Sequence, residues 1–320
     1  MTKARYAIGL DIGGTKIAAG VVDSAGTVLT ELVEPTPEES HAVAVTPVLL
    51  GVIDRLRKAY PDVEAVGLGA AGLVEWPTGR IRWAPNNAYR NWPVREQLEK
   101  ASGLPTVVDN DANVAALAEA RLGERHYRDM VLLTVGTGVG GGMILDGHIY
   151  RGRTGLGAEL GHMIVNPDGP RCSCGNHGCL EAYASGTALA RLGRDAAADE
   201  PAGLIARLGA AQGQVTGPIV TAAARQGDAT ATALFGRVGR WLGVGIASLT
   251  TMFELEVVIV GGGLVAAGDL LLGPARAAAR EFAYAPQVRG VVPVLSATAG
   301  NGAGMIGAAL LALEGTPVTH

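Results

Sequence analysis

Short apolar runs separated by glycine-containing turns open the chain. Tyr6 to Leu10 is apolar and ends in Asp11, Ile12, Gly13, Gly14, Thr15 and Lys16, after which a second apolar run extends from Ile17 to Val22. This pattern predicts strand, glycine turn, strand. The turn Asp23 to Gly26 leads into a third predicted strand, Thr27 to Leu32, whose side chains roughly alternate in polarity. The same order recurs further along, as Met130 to Val135, the glycine turn Gly136 to Gly142, Met143 to Leu145, the turn Asp146-Gly147, and His148 to Tyr150. Two such hairpins in one order predict a duplicated α/β domain whose glycine turns face each other across a cleft, with chance recurrence of glycine-rich hairpins as the competing explanation.

Helical periodicity fills the intervals. Asp109 and Asn110 can cap a helix that begins near Asp111, presents Val114, Ala115, Leu117, Ala118 and Leu122 on one face, and stops at Gly123. Ala-rich stretches from Ala182 to Leu208 and from Thr232 to Leu249 also read as helix, broken at Pro201 and at Gly213 to Pro218. Val257 to Val260 reads as a buried strand entering Gly261, Gly262 and Gly263, with another helix from Leu264 onward.

Composition sets the class. A chain of 320 residues, 48% hydrophobic and 18% charged, has material for a large core divided over two domains. The net charge of -4 and the lack of any Lys/Arg run argue against a nucleic-acid partner. Asp11 and Lys16 cut short the first apolar stretch, leaving no signal-peptide core, and no apolar run approaches the ~20 residues needed to span a bilayer. A cytoplasmic protein without a membrane partner is expected. All three cysteines, Cys172, Cys174 and Cys179, fall in one glycine-rich stretch, an odd set that argues for metal rather than disulfides.

Several of these features can carry chemistry. In the first turn, Gly13 and Gly14 let backbone N–H groups approach an anion, Thr15 offers a hydroxyl, Lys16 a charge, and Asp11 a carboxylate for Mg²⁺, held directly or through water. The spacing is not that of a Walker loop, and a plain charged hairpin is the alternative. Thr137 and Gly138 can cradle a terminal phosphate, and Gly261, Gly262 and Gly263 can hold a nucleotide against the backbone. Asp111 is the candidate general base, since phosphoryl transfer needs a carboxylate to orient the attacking hydroxyl and take its proton, and a helix N-terminus would keep it ionised. The competing role is a simple cap. Cys172, Cys174 and Cys179 with either His162 or His177 can make a tetrahedral Cys₃His zinc set, closed and therefore structural, with reduced metal-free cysteines as the alternative. Glu159 and Glu181 flank that set and can accept hydrogen bonds from a polyhydroxylated ligand. Trp76, Trp83 and Trp92, beside Asn86, Asn87 and Asn91, form either the lip of a sugar site or a satellite hydrophobic cluster.

Taken together, Asp11-Ile-Gly-Gly-Thr-Lys-Ile, Asn110-Asp-Ala-Asn, Gly136-Thr-Gly-Val-Gly-Gly-Gly, Glu159-Leu-Gly-His162, Cys172-x-Cys-Gly-x-x-Gly-Cys179-Leu-Glu181 and Val260-Gly-Gly-Gly resemble the ROK family of repressors, open reading frames and sugar kinases. The resemblance implies an α/β, actin-like (ribonuclease H-like) fold of duplicated domains with a central cleft. It implies a small lobe of residues 1–112 plus about 303–320, and a large lobe of 113–302 carrying the zinc loop and a dimerisation surface. It further implies a glucokinase acting on the 6-hydroxyl with Mg²⁺ and ATP, the lobes closing to exclude water. Asp111 would be the base, with Thr137 and Gly138 near the phosphates. Asn86, Asn110, Asp111, Glu159, His162 and Glu181 would bind the sugar, and His162 rather than His177 would complete the structural Zn²⁺ set. A homodimer or higher homo-oligomer is the family expectation. N-acetylglucosamine, N-acetylmannosamine, mannose and fructose are the competing acceptors, and polyphosphate a competing donor. A sugar-sensing repressor would need a DNA-binding module of ~50 residues or more before the first glycine turn, where ten residues stand. A sensor without DNA contact stays open.

Overall fold

The computed structural model describes residues 4–37, 42–84, 89–123 and 125–315. In chain order the first strands are β1 (Tyr6–Ile12), β2 (Lys16–Asp23), β3 (Val28–Pro35), β4 (Val63–Ala70), β5 (Leu73–Glu75), β6 (Arg80–Trp83), β7 (Arg90–Trp92) and β8 (Thr106–Asn110). With them go helices α1 (Ala42–Ala59), α2 (Val94–Ser102) and α3 (Asp111–Leu122). The next strands are β9 (Met130–Val135), β10 (Val139–Leu145) and β11 (His148–Ile149). A helical stretch follows: α4 (Leu180–Ala184), α5 (Gly186–Asp199), α6 (Leu204–Ala211), α7 (Gly217–Arg225) and α8 (Ala229–Phe253). The chain finishes with β12 (Val257–Gly261), α9 (Asp269–Glu281), α10 (Pro286–Arg289), β13 (Val294–Ser296) and α11 (Ala303–Gly315).

Two five-stranded sheets carry the same arrangement, β3-β2-β1-β4-β8 and β11-β10-β9-β12-β13. Each is two hairpin-linked strands beside a first strand, then two crossover strands, so the duplication expected from the glycine-turn hairpins is present. A small antiparallel sheet, β5-β6-β7, stands apart.

By compactness the chain forms two units, one of residues 1–128, 142–158 and 298–320, the other of 129–141 and 159–297. In the first, β1 is parallel to β4 and antiparallel to β2, and β4 is parallel to β8. Its core gathers Ile8, Leu10 and Ile17 from the sheet, Leu49 and Ile53 from α1 and Leu98 from α2, all buried. On the sheet lies α11, in contact with β1, β2, β4 and α3. Gly9 and Gly67 permit that approach, because a methyl at either would strike a backbone carbonyl of α11, that of Met305 or Ala308. The buried Glu119 of α3 accepts the N–H groups of Thr298 (3.0 Å) and Ala299 (2.9 Å) and the Thr298 hydroxyl (3.1 Å), fastening the segment that enters α11.

In the second unit, β12 is parallel to both β9 and β13, and α8 lies along α9. The predicted helix 182–208 is divided: Ser185 ends α4 and its hydroxyl accepts the Ala188 N–H at 3.1 Å to start α5. The helix expected from Leu264 begins as a 3₁₀ turn, and α9 starts only after Gly268 at φ 61°. No helix among the described residues is long and apolar enough to cross a membrane.

Candidate active site

In the first unit, the parallel strands β1, β4 and β8 end on one edge of the sheet, with Asp11 opposite Gly69 and Gly69 opposite Asp109. Carboxyl ends of parallel strands are where α/β folds place ligands. Asp11 is half-buried against the first turn of α11, where Gly304 has no room for a side chain because the Asp11 carboxylate occupies it. Burial, helped by the nearby Asp111 carboxylate and opposed by Lys16, pushes the Asp11 carboxyl up to about 7. The turn after it is held from behind: Gly13 N–H donates to the Lys16 carbonyl (2.9 Å), Thr36 N–H to Thr15 (3.0 Å) and the Thr36 hydroxyl to Gly13 (2.9 Å). Gly14, Thr15 and Lys16 are left exposed.

Asn110, the last residue of β8, is the N-cap of α3. Its Oδ1 accepts the N–H groups of Ala112 (2.9 Å) and Asn113 (3.2 Å), and its Nδ2 donates to the Gly72 carbonyl (3.2 Å). Asp111 therefore opens the helix half-buried, with its Oδ1 accepting the Ala112 N–H at 2.9 Å. Burial raises its carboxyl above the usual range despite hydrogen bonds from the first-turn backbone and the Asn110 side chain. A carboxyl raised by burial at a helix start is the kind of group that can accept a proton from a neighbouring hydroxyl. Asp109 is no cap. It is buried and bonded to Arg151, whose guanidinium carbon stands 3.7 Å from the Trp76 ring centroid. The tryptophans divide accordingly: Trp92 is core, 4.7 Å from the Tyr89 ring, Trp76 stacks on Arg151, and Trp83 is exposed beside Arg90. Asn86 lies outside the described residues.

In the second unit, β9 and β12 also end together, Gly261 opposite Thr134. Gly262 crosses this edge at φ 86°, and a methyl there would lie 2.6 Å from the Val135 carbonyl oxygen. The turn after β9 is gripped by α5: Gly186 N–H donates to the Gly136 carbonyl (2.7 Å), and Thr187 donates to the Thr137 carbonyl from N–H (3.3 Å) and hydroxyl (2.7 Å). With those carbonyls turned toward α5, the trans peptides aim the Thr137 and Gly138 N–H groups away from it, as an anion cradle requires. Glu181 joins this turn to the cysteine loop. Its Oε2 accepts the Val139 N–H (3.0 Å) and its Oε1 the Ser173 hydroxyl (3.0 Å). Glu159 is exposed and precedes the 3₁₀ turn Leu160–His162.

The ligand atoms of His162, Cys172, Cys174 and Cys179 all lie within 4.8 Å of one another. Cys172 Sγ is 3.6 Å from His162 Nδ1 and Cys174 Sγ 3.7 Å from Cys179 Sγ, close to the ~3.5–3.8 Å edge of a tetrahedron with zinc bond lengths. Burial pushes the Cys179 thiol up to about 12, whereas the Asn176 backbone draws Cys174 down. A cation is what would hold both as thiolates. His177 instead faces the Gly169 carbonyl at 3.1 Å and stands outside the cluster. These four residues fit a closed structural zinc site.

The sequence model of the ROK family matches residues 7–315. The chain belongs to the ROK family. A glucokinase of Streptomyces coelicolor is 40% identical over 315 residues, 97% of this chain and 98% of its own length. An N-acetylmannosamine kinase of Escherichia coli is 33% identical over 308 residues, 95% of this chain and 97% of its own length. The crystal structure of a ROK family glucokinase from Streptomyces griseus, in complex with glucose and AMPPNP, superposes with a TM-score of 0.83 at 41% identity, covering 97% of this chain and 100% of that one. The paired sheets are thus those of the actin-like ATPase fold of ROK kinases.

Proposed function

We propose that this chain is a glucokinase that transfers the γ-phosphoryl group of ATP to the 6-hydroxyl of glucose. The observation that carries the reading is the capped corner at Asn110-Asp111, with the Asp111 carboxylate at the same end of the sheet as Asp11, in a chain 40% identical to a glucokinase over nearly its whole length. Asp111 takes the proton of the 6-hydroxyl as that oxygen attacks the γ-phosphorus and ADP departs. Asn86, Asn110, Glu159, His162 and Glu181 bind the sugar hydroxyls. The N–H groups of Thr137 and Gly138 receive the γ-phosphate, and the Gly13–Lys16 turn and Gly261–Gly263 hold the rest of the nucleotide. Mg²⁺, which Asp11 would hold, supplies charge neutralisation on the phosphates. The Cys₃His zinc set is structural, and Glu181 transmits its order to the phosphate turn through Ser173 and Val139. The enzyme acts in the cytoplasm as a homodimer or higher homo-oligomer.

A second acceptor, N-acetylmannosamine, is favoured by the 33% identity to a kinase named for that sugar. ADP release with Mg-ATP, measured across glucose, mannose, fructose, N-acetylglucosamine and N-acetylmannosamine at equal concentration, decides between them. Turnover on glucose well above the rest is expected; preference for the acetylated sugar would replace the acceptor, and silence on all five with sugar binding intact would replace catalysis by sensing.

A further inference from the structure

The corner that presents Asp111 is backed by an ion pair that the proposed chemistry does not use. Asp109 lies one residue before the cap, is 2% exposed, and accepts three hydrogen bonds: from the Asn110 N–H (2.8 Å), from Asn113 Nδ2 (2.9 Å) and from Arg151 Nε (2.6 Å). It thus holds both the backbone of the capping residue and a side chain of the first turn of α3. Arg151 is itself packed, its side chain 14% exposed and its guanidinium carbon 3.7 Å from the Trp76 ring centroid. The backbone N–H of Trp76 in turn donates to the Thr154 carbonyl at 2.9 Å. A charged pair is a poor means of stabilising an interior, because desolvation offsets most of the attraction and apolar residues of like volume often do as well. What such a pair does provide is direction, since a guanidinium lying over an indole and bonded through Nε restricts where the carboxylate can sit.

We propose that Asp109 and Arg151, stacked on Trp76, are positioning residues that set Asn110 and Asp111 for the acceptor hydroxyl. The proposal rests on the glucokinase reading for its kinetic consequence, though not for its structural one. Phosphoryl transfer by positioned groups tolerates little displacement, and a shift on the order of 1 Å at the base costs ~100-fold in rate.

The test compares Arg151→Gln, Arg151→Lys and the charge-neutral pair Asp109→Asn with Arg151→Gln, each assayed at least ten degrees below its own melting temperature. Arg151→Gln and the pair should lower kcat on glucose ~10- to 100-fold while KM for Mg-ATP stays within about twofold. Arg151→Lys, which keeps the charge but not the planar guanidinium over Trp76, should recover part of the loss. Hydrogen exchange of residues 110–116 is the second measurement, and the amides of Ala112 and Asn113 should exchange at least about tenfold faster in the variants as the cap loosens. A folded variant with kcat within about twofold of the parent, or with unaltered exchange over 110–116, overturns the proposal. Should Arg151→Gln alone fail to fold, the charge-neutral pair carries both measurements. A parent protein inactive on every hexose would remove the glucokinase reading, and hydrogen exchange would then decide the positioning role by itself.

Discussion

Replacing Asp11 by Asn should make the protein more stable and inactive at once. The Asp11 carboxyl is raised from 3.8 to about 7, chiefly by burial. Between those two values the folded protein keeps a proton that the unfolded chain has released, so this group's contribution to stability falls as pH rises through the window and is flat above it. Each factor of ten in proton affinity is worth about 1.4 kcal/mol, which bounds the penalty above neutral pH at about 4 kcal/mol; partial exposure brings it to about 2 kcal/mol. For a chain of this size that is a rise in melting temperature of about 3 °C for Asp11→Asn at pH 8, shrinking toward zero near pH 4. The assay is thermal unfolding of zinc-loaded, magnesium-free protein from pH 4 to 8, repeated with Mg²⁺. Magnesium should raise the melting temperature of the parent and leave Asp11→Asn unmoved, since only a folded-state ligand shifts the equilibrium. An Asn variant less stable than the parent at pH 8, or a difference that does not grow from pH 4 to pH 8, would refute the reasoning that this carboxylate is kept at a cost for a cation.

Three further outcomes are expected. Asp111→Asn should retain sugar binding by calorimetry while kcat falls at least ~100-fold, and near-parental turnover would sink the base assignment. Metal analysis should find one zinc per chain, lost together with activity in Cys174→Ser, where zinc retained at full occupancy would contradict the Cys₃His set. Gly262→Ala places a methyl 2.6 Å from the Val135 carbonyl at a φ of 86°. It should weaken ATP binding more than tenfold with sugar affinity unchanged, read by titration of each ligand alone.

What could be read from the chain depended on how locally each feature is specified. The hairpins β1-β2-β3 and β9-β10-β11 announce themselves, because apolar runs meet at tight glycine turns, and their repetition led to the duplicated sheet order. Asn110 and Asp111 were legible as a helix start for the same reason, and the cysteines because thiols close in sequence have few other uses in a reduced protein. Other elements had no such signal. Helix α11 is buried at every residue from Ala303 to Leu313, so it lacks the polar stripe that marks a surface helix. Asp109 follows the two valines of the strand Thr106–Asn110 and is buried, and a buried charge needs a partner. Its partner Arg151 stands 42 residues away and only the fold joins them. Glu119 hides likewise among the alanines of α3, and its ligands lie at Thr298 and Ala299.

That α11 belongs to the sheet formed by β1, β4 and β8 bears on how the chain is made. The strands β1, β4 and β8 leave the ribosome early, yet the helix that covers them is made only after the whole of the second unit has been translated. At elongation rates of roughly 5–20 residues per second, the face at Gly9 and Gly67 waits for about 10 to 40 s. During that interval the N-terminal sheet offers a bare apolar surface to chaperones and to other nascent chains. Synthesis of α11, rather than of the N-terminal half, is therefore the event that completes the unit bearing Asp11 and Asp111.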